Sequence, residues 1–223
     1  MAHYEVEIKS LLGSEENARA LKDKMCALDT GCNLVSQNKQ LNHYFEGGDI
    51  NTLYEKTKHL FNEDDQEKLK HVIDEGKEYS IRSRQKNENI YLVVKASVDE
   101  GSSANTVSRL EFEEEVDISL EALDQILLDA GFVYQAKWSR EREEYAYKGV
   151  NVCLDKNAGY GYLAEFEKVF EDEDVNEARA ELDALMAELG VAELAQDRLE
   201  RMFAHYNANW PEYYGTDKVF TIE

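Results

Sequence analysis

The chain has 223 residues and carries 25 Lys+Arg against 47 Asp+Glu, a formal charge of −22. A chain of this length can bury a sizeable core, and no window approaches the roughly 18 apolar residues of a membrane span. The acidic balance argues against broad binding to duplex nucleic acid or to anionic membranes, though not against a local basic pocket. Cys26, Cys32 and Cys153 are too few and too unevenly placed for a disulfide framework or a thiolate zinc site. A reducing cytoplasm is the simplest home for such thiols. The opening residues carry no apolar run, so no secretory leader is expected.

The first element is a strand. In His3 to Lys9 the odd positions are polar and the even ones apolar, which is the period of a half-buried strand. Ser14 then caps a helix whose stripe is Ala18, Leu21, Met25 and Leu28, and Gly31 ends it. Residues 33–46 read as extended and close on Tyr44 and Phe45, before Gly47 and Gly48 break the pattern. Residues 47–76 form a polar insertion with a helix predicted over Asp65–Asp74. Strands follow at Glu78–Gln85, Ile90–Ser97 and Thr106–Val116, with a surface turn at Asp99–Asn105. Ser119 caps a second helix with Leu120, Leu123 and Leu127 on one face. Three more strands are predicted at Phe132–Tyr147, Val150–Asp155 and Tyr160–Phe170. The extension 171–223 starts with an acidic run and turns helical, with a leucine stripe at Leu182, Leu185 and Leu189 and a last helix near Gln196–Tyr206. No repeat and only one proline are present, so one domain over 1–223 is expected.

About eight strands with few helices predict an α+β fold built on an antiparallel sheet or barrel, with helices packed outside. Residues i and i+2 of a strand share a face. Charged rows therefore arise at Glu5, Glu7 and Lys9; at Arg82 and Arg84; at Arg109, Glu111, Glu113 and Glu115; at Arg140 and Arg142; and at Glu165 and Glu167. Glutamate is a poor strand former and like charges on one face repel. One such row is unremarkable on a solvated sheet, but five require a cause.

An eight-stranded barrel with its charged face inward supplies that cause, because its width leaves room for one small ligand. Its carboxylates and cations can pair with one another at rest, which limits the cost of burying them. Arg and Lys suit phosphate oxygens. Clustered carboxylates suit a hard divalent ion such as Mg²⁺ or Mn²⁺. The residues thus describe a metal-dependent polyphosphate or nucleoside triphosphate site.

At this level of detail the sequence resembles the CYTH superfamily, also called the triphosphate tunnel metalloenzymes. Glu5-Val6-Glu7-Ile8-Lys9 resembles its ExExK signature, and Arg82-Ser83-Arg84 its RxR strand. Leu92 to Lys95 is similar to the strand that ends in its lysine, and Arg109 to Glu113 to its RxExE strand. Arg140 to Tyr145 resembles its K/R-x-R-x-x-Y strand. Leu154-Asp155, with Gly161 leading to Glu165-Phe166-Glu167, resembles its closing strands, and Gln40 to Glu46 its aromatic second strand. The likeness spans about residues 3–170 in the family's order.

The resemblance implies an eight-stranded antiparallel β-barrel, a triphosphate tunnel with inward charges and outer helices. It implies that Glu5, Glu7, Glu165 and Glu167 hold Mg²⁺ or Mn²⁺. It also implies that Lys9, Arg82, Arg84, Lys95, Arg109, Arg140 and Arg142 bind the triphosphate, with Arg109, Glu111, Glu113 and Asp155 lining the tunnel and Asp155 a further candidate for the metal shell. Lys137 is out of phase with Arg140 and Arg142, so it is left outside this set unless a bulge intervenes.

The expected activity is divalent-metal-dependent hydrolysis of inorganic triphosphate, thiamine triphosphate or a nucleoside triphosphate by a cytoplasmic monomer or homodimer. The alternative within the family is a class IV adenylyl cyclase releasing pyrophosphate. The alternative of another class is a polyphosphate- or nucleotide-binding protein without turnover. Tyr44 and Phe45 could stack on a base or fill the core. The five histidines show no metal-ligand spacing.

Overall fold

The computed structural model describes residues 4–97, 109–170 and 175–222, and the side chains of these except Tyr4, Glu5, Arg109, Phe170 and Val175. The surface turn expected at Asp99–Asn105 and the acidic run at Glu171–Asp174 lie outside the described residues, as does His3. The strands are β1 (Tyr4–Leu11), β2 (Asn33–Gly47), β3 (Glu78–Lys86), β4 (Asn89–Ser97), β5 (Arg109–Val116), β6 (Phe132–Tyr147), β7 (Val150–Asn157) and β8 (Gly161–Phe170). The helices are α1 (Glu15–Leu28), α2 (Ile50–Thr57), α3 (Glu63–Glu75), α4 (Leu120–Asp129), α5 (Val175–Leu189) and α6 (Gln196–Asn209). Hydrogen bonding links the eight strands in the order β1-β8-β7-β6-β2-β3-β4-β5. This is the α+β class that the strand-rich sequence predicts. Among the described residues the order ends at β1 and β5, so the eight-stranded antiparallel sheet has no hydrogen-bonded closure there. No helix among the described residues is long and apolar enough to cross a membrane.

The chain divides into two compact units, one of residues 1–38, 102–108 and 140–223, the other of 39–101 and 109–139. In the first unit, alternation on β1 puts Val6 and Ile8 into a core shared with Phe166 of β8, Val152 of β7 and Tyr145 and Tyr147 of β6. Helix α1 adds Ala18, Leu21 and Met25, and α5 adds Ala178, Leu182, Met186 and Leu189. Full burial of one such side chain stabilises by about 1.5–3 kcal/mol. Ser14 caps α1 by accepting from the amide of Asn17 at 3.2 Å, as its sequence position predicts. Leu28, the last residue of the stripe, is 45% exposed because the helix stops there.

The end of the chain folds onto this same unit. Gly159, in the turn between β7 and β8, donates to the carbonyl of Lys218 and accepts from the amide of Phe220, both at 2.8 Å. A Cβ at Gly159 would lie 2.7 Å from the Tyr206 ring, and its φ of +80° also favours glycine. Tyr206 stacks on Tyr213 with ring centroids 5.9 Å apart.

In the second unit, Phe45 of β2, Ile81 of β3, Leu92 and Val94 of β4 and Phe112 of β5 meet helices α2, α3 and α4 through Leu53, Leu69, Leu123 and Leu127. The insertion 47–76 holds two helices, where the sequence pattern predicts one. Asp49 caps α2, accepting from the amide of Thr52 at 2.8 Å. Only Leu53 and Thr57 of α2 are buried, too few to reveal a stripe among lysines and glutamates. Asn62 caps α3, which starts two residues before the predicted start, and accepts from the amide of Asp65 at 2.9 Å. Gly48 has φ +66°, and a Cβ there would sit 2.7 Å from the Phe132 ring. A larger residue at this bend would displace a core aromatic.

Candidate functional site

Each unit carries its own face of paired charges. In the first unit the register is antiparallel and specific. Glu7 and Lys9 of β1 stand opposite Glu167 and Glu165 of β8. Glu165 and Glu167 also stand opposite Cys153 and Asn151 of β7, and Asp155 of β7 opposite Arg142 of β6. Four strands thus put cations and carboxylates side by side, opposite the core that holds Val6, Ile8 and Phe166.

The contacts follow from that register. Arg142 grips Asp155 with both ends of its fork, Nε to Oδ1 and Nη2 to Oδ2, each at 2.7 Å. The same Nη2 also donates to Glu165. Arg140 donates to Asp155 Oδ2 at 2.9 Å and lies 3.8 Å from Glu165. Lys9 pairs with Glu7 and lies 3.7 Å from Glu165. Asn151 donates to Glu167 at 2.9 Å. Burial would raise the Glu165 carboxyl, but Arg142, Lys9 and Arg140 hold it well below the usual carboxylate range. Arg142 is burdened by the same burial and is kept charged by Glu165 and Asp155. Asp155 is 1% exposed and serves here as the anchor of two guanidinium groups.

The second unit is richer in fixed cations. Arg84 donates from Nε to Asn42 at 2.7 Å and from Nη1 to Glu113 at 2.6 Å. Lys95 pairs with Glu111 at 2.9 Å. Burial works against the Glu111 carboxylate, yet Lys95, with Arg82 and Arg84 nearby, lowers its pKa. The Arg82 guanidinium lies 4.5 Å from the centre of the Tyr44 ring and touches Ser80 at 3.4 Å. Among the described residues no carboxylate lies within salt-bridge distance of Arg82, so its fork keeps donors for a ligand. Tyr44 therefore supports a cation, while its neighbour Phe45 is core.

Of the residues expected from the sequence, Glu7, Lys9, Arg140, Arg142, Asp155, Glu165 and Glu167 come together in the first unit. Arg82, Arg84, Lys95, Glu111 and Glu113 come together in the second. Glu5 and Arg109 occupy strand positions opposite Val169 and Ser97, but their side chains lie outside the described residues.

Two groups were not anticipated. Cys153 is one; its sulfur and carboxylate oxygens of Glu165 and Glu167 all lie within 4.8 Å of one another. Burial pushes this thiol up, so it stays protonated beside the carboxylates. The other is a buried network at Asp124 of α4. Its carboxylate accepts from the Ser83 hydroxyl, from Tyr134 at 2.7 Å, and meets His43 Nδ1 at 2.7 Å. Lys137 lies 3.9 Å from Asp124 and over the Tyr134 ring, so it belongs to this network. The signal was available: Asp124 interrupts the apolar stripe of Leu120, Leu123 and Leu127.

Asp124 tests the network's weight. Burial would raise its carboxyl, but bonds from His43, Ser83 and Tyr134 hold it below the ordinary value. Its stabilising effect is therefore fully present above the unfolded value of about 3.9 and is lost as pH falls below it. Asp124→Ala is expected to cost about 3–5 kcal/mol at neutral pH, since it leaves buried partners unmatched. Urea unfolding at pH 7 and at acid pH should show the gap between variant and parent narrowing on acidification.

The carboxylates fit a hard divalent cation. Glu7, Glu165 and Glu167 offer oxygen donors on adjacent strands, the chemistry that Mg²⁺ and Mn²⁺ prefer. The neutral Cys153 thiol adds no hard donor.

The comparisons agree with this reading of the fold. A model of the CYTH domain matches residues 71–198, and the chain belongs to that family. Members of the family are in general triphosphatases or cyclases that use divalent metals. A conserved hypothetical protein from Pyrococcus furiosus is similar with a TM-score of 0.58 at 21% identity, over 84% of this chain and 91% of that one. A candidate adenylate cyclase from Vibrio parahaemolyticus is similar with a TM-score of 0.58 at 14% identity, over 92% and 99%. A candidate adenylyl cyclase from Hippeastrum, for which a dominant triphosphatase activity is described, is similar with a TM-score of 0.51 at 18% identity, over 85% and 89%. At these identities the likeness is one of fold. No curated protein matches the sequence at a significant level.

Proposed function

We propose that the protein hydrolyses a small triphosphate with Mg²⁺ or Mn²⁺. The observation that carries this reading is the fixed set of cations beside strand-borne carboxylates. Arg84 and Arg142 are each clamped by hydrogen bonds before any ligand arrives. Membership of the CYTH family supports it. So does the triphosphatase activity described for the Hippeastrum protein of similar fold.

In this reading Glu7, Glu165 and Glu167 hold the cation, with Glu5 as the fourth carboxylate of the strand pattern. The cation supplies Lewis-acid charge to phosphate oxygens when bound. Arg82, Arg84 and Lys95 bind phosphate oxygens, as do Lys9, Arg140 and Arg142. The incoming phosphates compete with Glu113 for Arg84 and with Glu165 for Arg140, so resting ion pairs are exchanged for substrate pairs. A carboxylate released by that exchange orients the attacking water. Phosphoryl transfer needs alignment and charge compensation more than covalent chemistry, and fixed forks provide both. No cysteine or serine nucleophile is needed. A reducing cytoplasm goes with this reading.

The test offers inorganic triphosphate, thiamine triphosphate and ATP in parallel, each with Mg²⁺ and with Mn²⁺. Orthophosphate release is the expected outcome, and the best substrate names the specificity. Cyclic AMP with pyrophosphate from ATP would replace this reading by the cyclase one. Tight binding of all three without turnover would leave a binding protein.

A further inference from the structure

We propose that Cys26 and Cys32 are a reversible thiol pair that closes to an intramolecular disulfide, a modification site at the turn between α1 and β2. The two sulfurs lie 3.4 Å apart. Cys26 is exposed and Cys32 partly so, whereas Cys153 is buried. The sulfurs therefore meet each other and small reagents, and the third thiol does not.

The turn explains the approach. Helix α1 ends at Leu28, and the chain reverses through Asp29, Thr30 and Gly31 before β2 begins at Asn33. Asp29 holds that reversal from both sides. Its carboxylate accepts from the amide of Gly31 at 2.8 Å and from the amide of Lys148 at 3.1 Å, and its carbonyl accepts from the amide of Cys32 at 3.1 Å. Met25, the residue before Cys26, is fixed in the core. Both cysteines thus sit on anchored backbone with their sulfurs in contact. A disulfide needs a bond of about 2.05 Å, a further approach of roughly 1.4 Å that side-chain rotation can supply.

The chemistry balances with a small disulfide as oxidant. The thiolate of one cysteine attacks a sulfur of oxidised glutathione and expels one glutathione thiolate. The second cysteine thiolate then attacks the mixed disulfide and expels the other. The protein loses two protons and two electrons, which oxidised glutathione takes up, and two molecules of reduced glutathione leave. Burial and contact with Cys26 push the Cys32 thiol up to about 11, so the exchange is slow at neutral pH and faster in mild alkali.

Trypsin offers a direct readout on the intact protein. Residues 25–39 lie between Lys24 and Lys39 with no internal Lys or Arg, so both cysteines fall in one peptide. Incubation with oxidised glutathione, acid quench and digestion should yield this peptide lighter by two hydrogens and free of glutathione. A dithiol reductant should restore its mass. The peptide 149–156, which carries Cys153, should stay unmodified. The Cys26→Ser variant should instead retain one glutathione on Cys32, because no resolving thiol remains. The proposal is overturned if the parent peptide keeps glutathione on both cysteines, keeps both thiols free, or appears linked to a second chain.

Discussion

Glu165→Ala is expected to reduce metal-dependent phosphate release by about 10³-fold, the upper range for removing one preorganised electrostatic group. The carboxylate stands opposite Lys9 on one side and Cys153 on the other, and it pairs with Arg142 and Arg140. Its loss removes a cation ligand and leaves buried guanidinium charge with less compensation. Breaking a buried pair in this way costs about 3–5 kcal/mol. The lower end applies here, because Arg142 keeps both of its bonds to Asp155. Glu165→Gln separates the two effects, since it keeps the volume and removes the charge. Its turnover should fall as far as that of the alanine variant while its melting temperature falls less. A variant that unfolds no earlier and turns over normally would remove Glu165 from the site.

The second large effect is expected at Arg84. Removing one partner of a buried, hydrogen-bonded charge pair weakens binding by about 2–5 kcal/mol, or roughly 30-fold and upward in affinity. Arg84→Ala should raise the KM for triphosphate by such a factor. Stability should suffer less than at Glu165, because the Glu113 side chain it leaves behind is 27% exposed and can rehydrate. Arg84→Lys keeps the charge but cannot reach Asn42 and Glu113 with one planar fork. Partial recovery is therefore expected, and recovery to the parental KM would mean that charge alone matters at this position.

Much of this was legible in the sequence because strands report their two faces directly. The odd residues of β1 and the Glu165–Glu167 row lie on one face by alternation alone, and the register then pairs Glu7 with Glu167 and Lys9 with Glu165. Alternation did not reveal that Lys137 lies beside Asp124. What alternation cannot show is which carboxylate answers which cation. Asp155 read as a lining residue, yet it is the bidentate anchor of Arg142, a fact set by the β6–β7 register. Helix α2 was hidden because its burial rests on two residues. The contact of Cys26 with Cys32 depends on a turn tied by Asp29 to Lys148, distant in sequence.

The most direct measurement follows orthophosphate from inorganic triphosphate with Mg²⁺ present, then with excess chelator, then with Mg²⁺ or Mn²⁺ restored. The account predicts release that stops on chelation, returns with the metal and is absent in Glu165→Ala. Release that persists undiminished through chelation, or that survives in a folded Glu165→Ala protein, would contradict it.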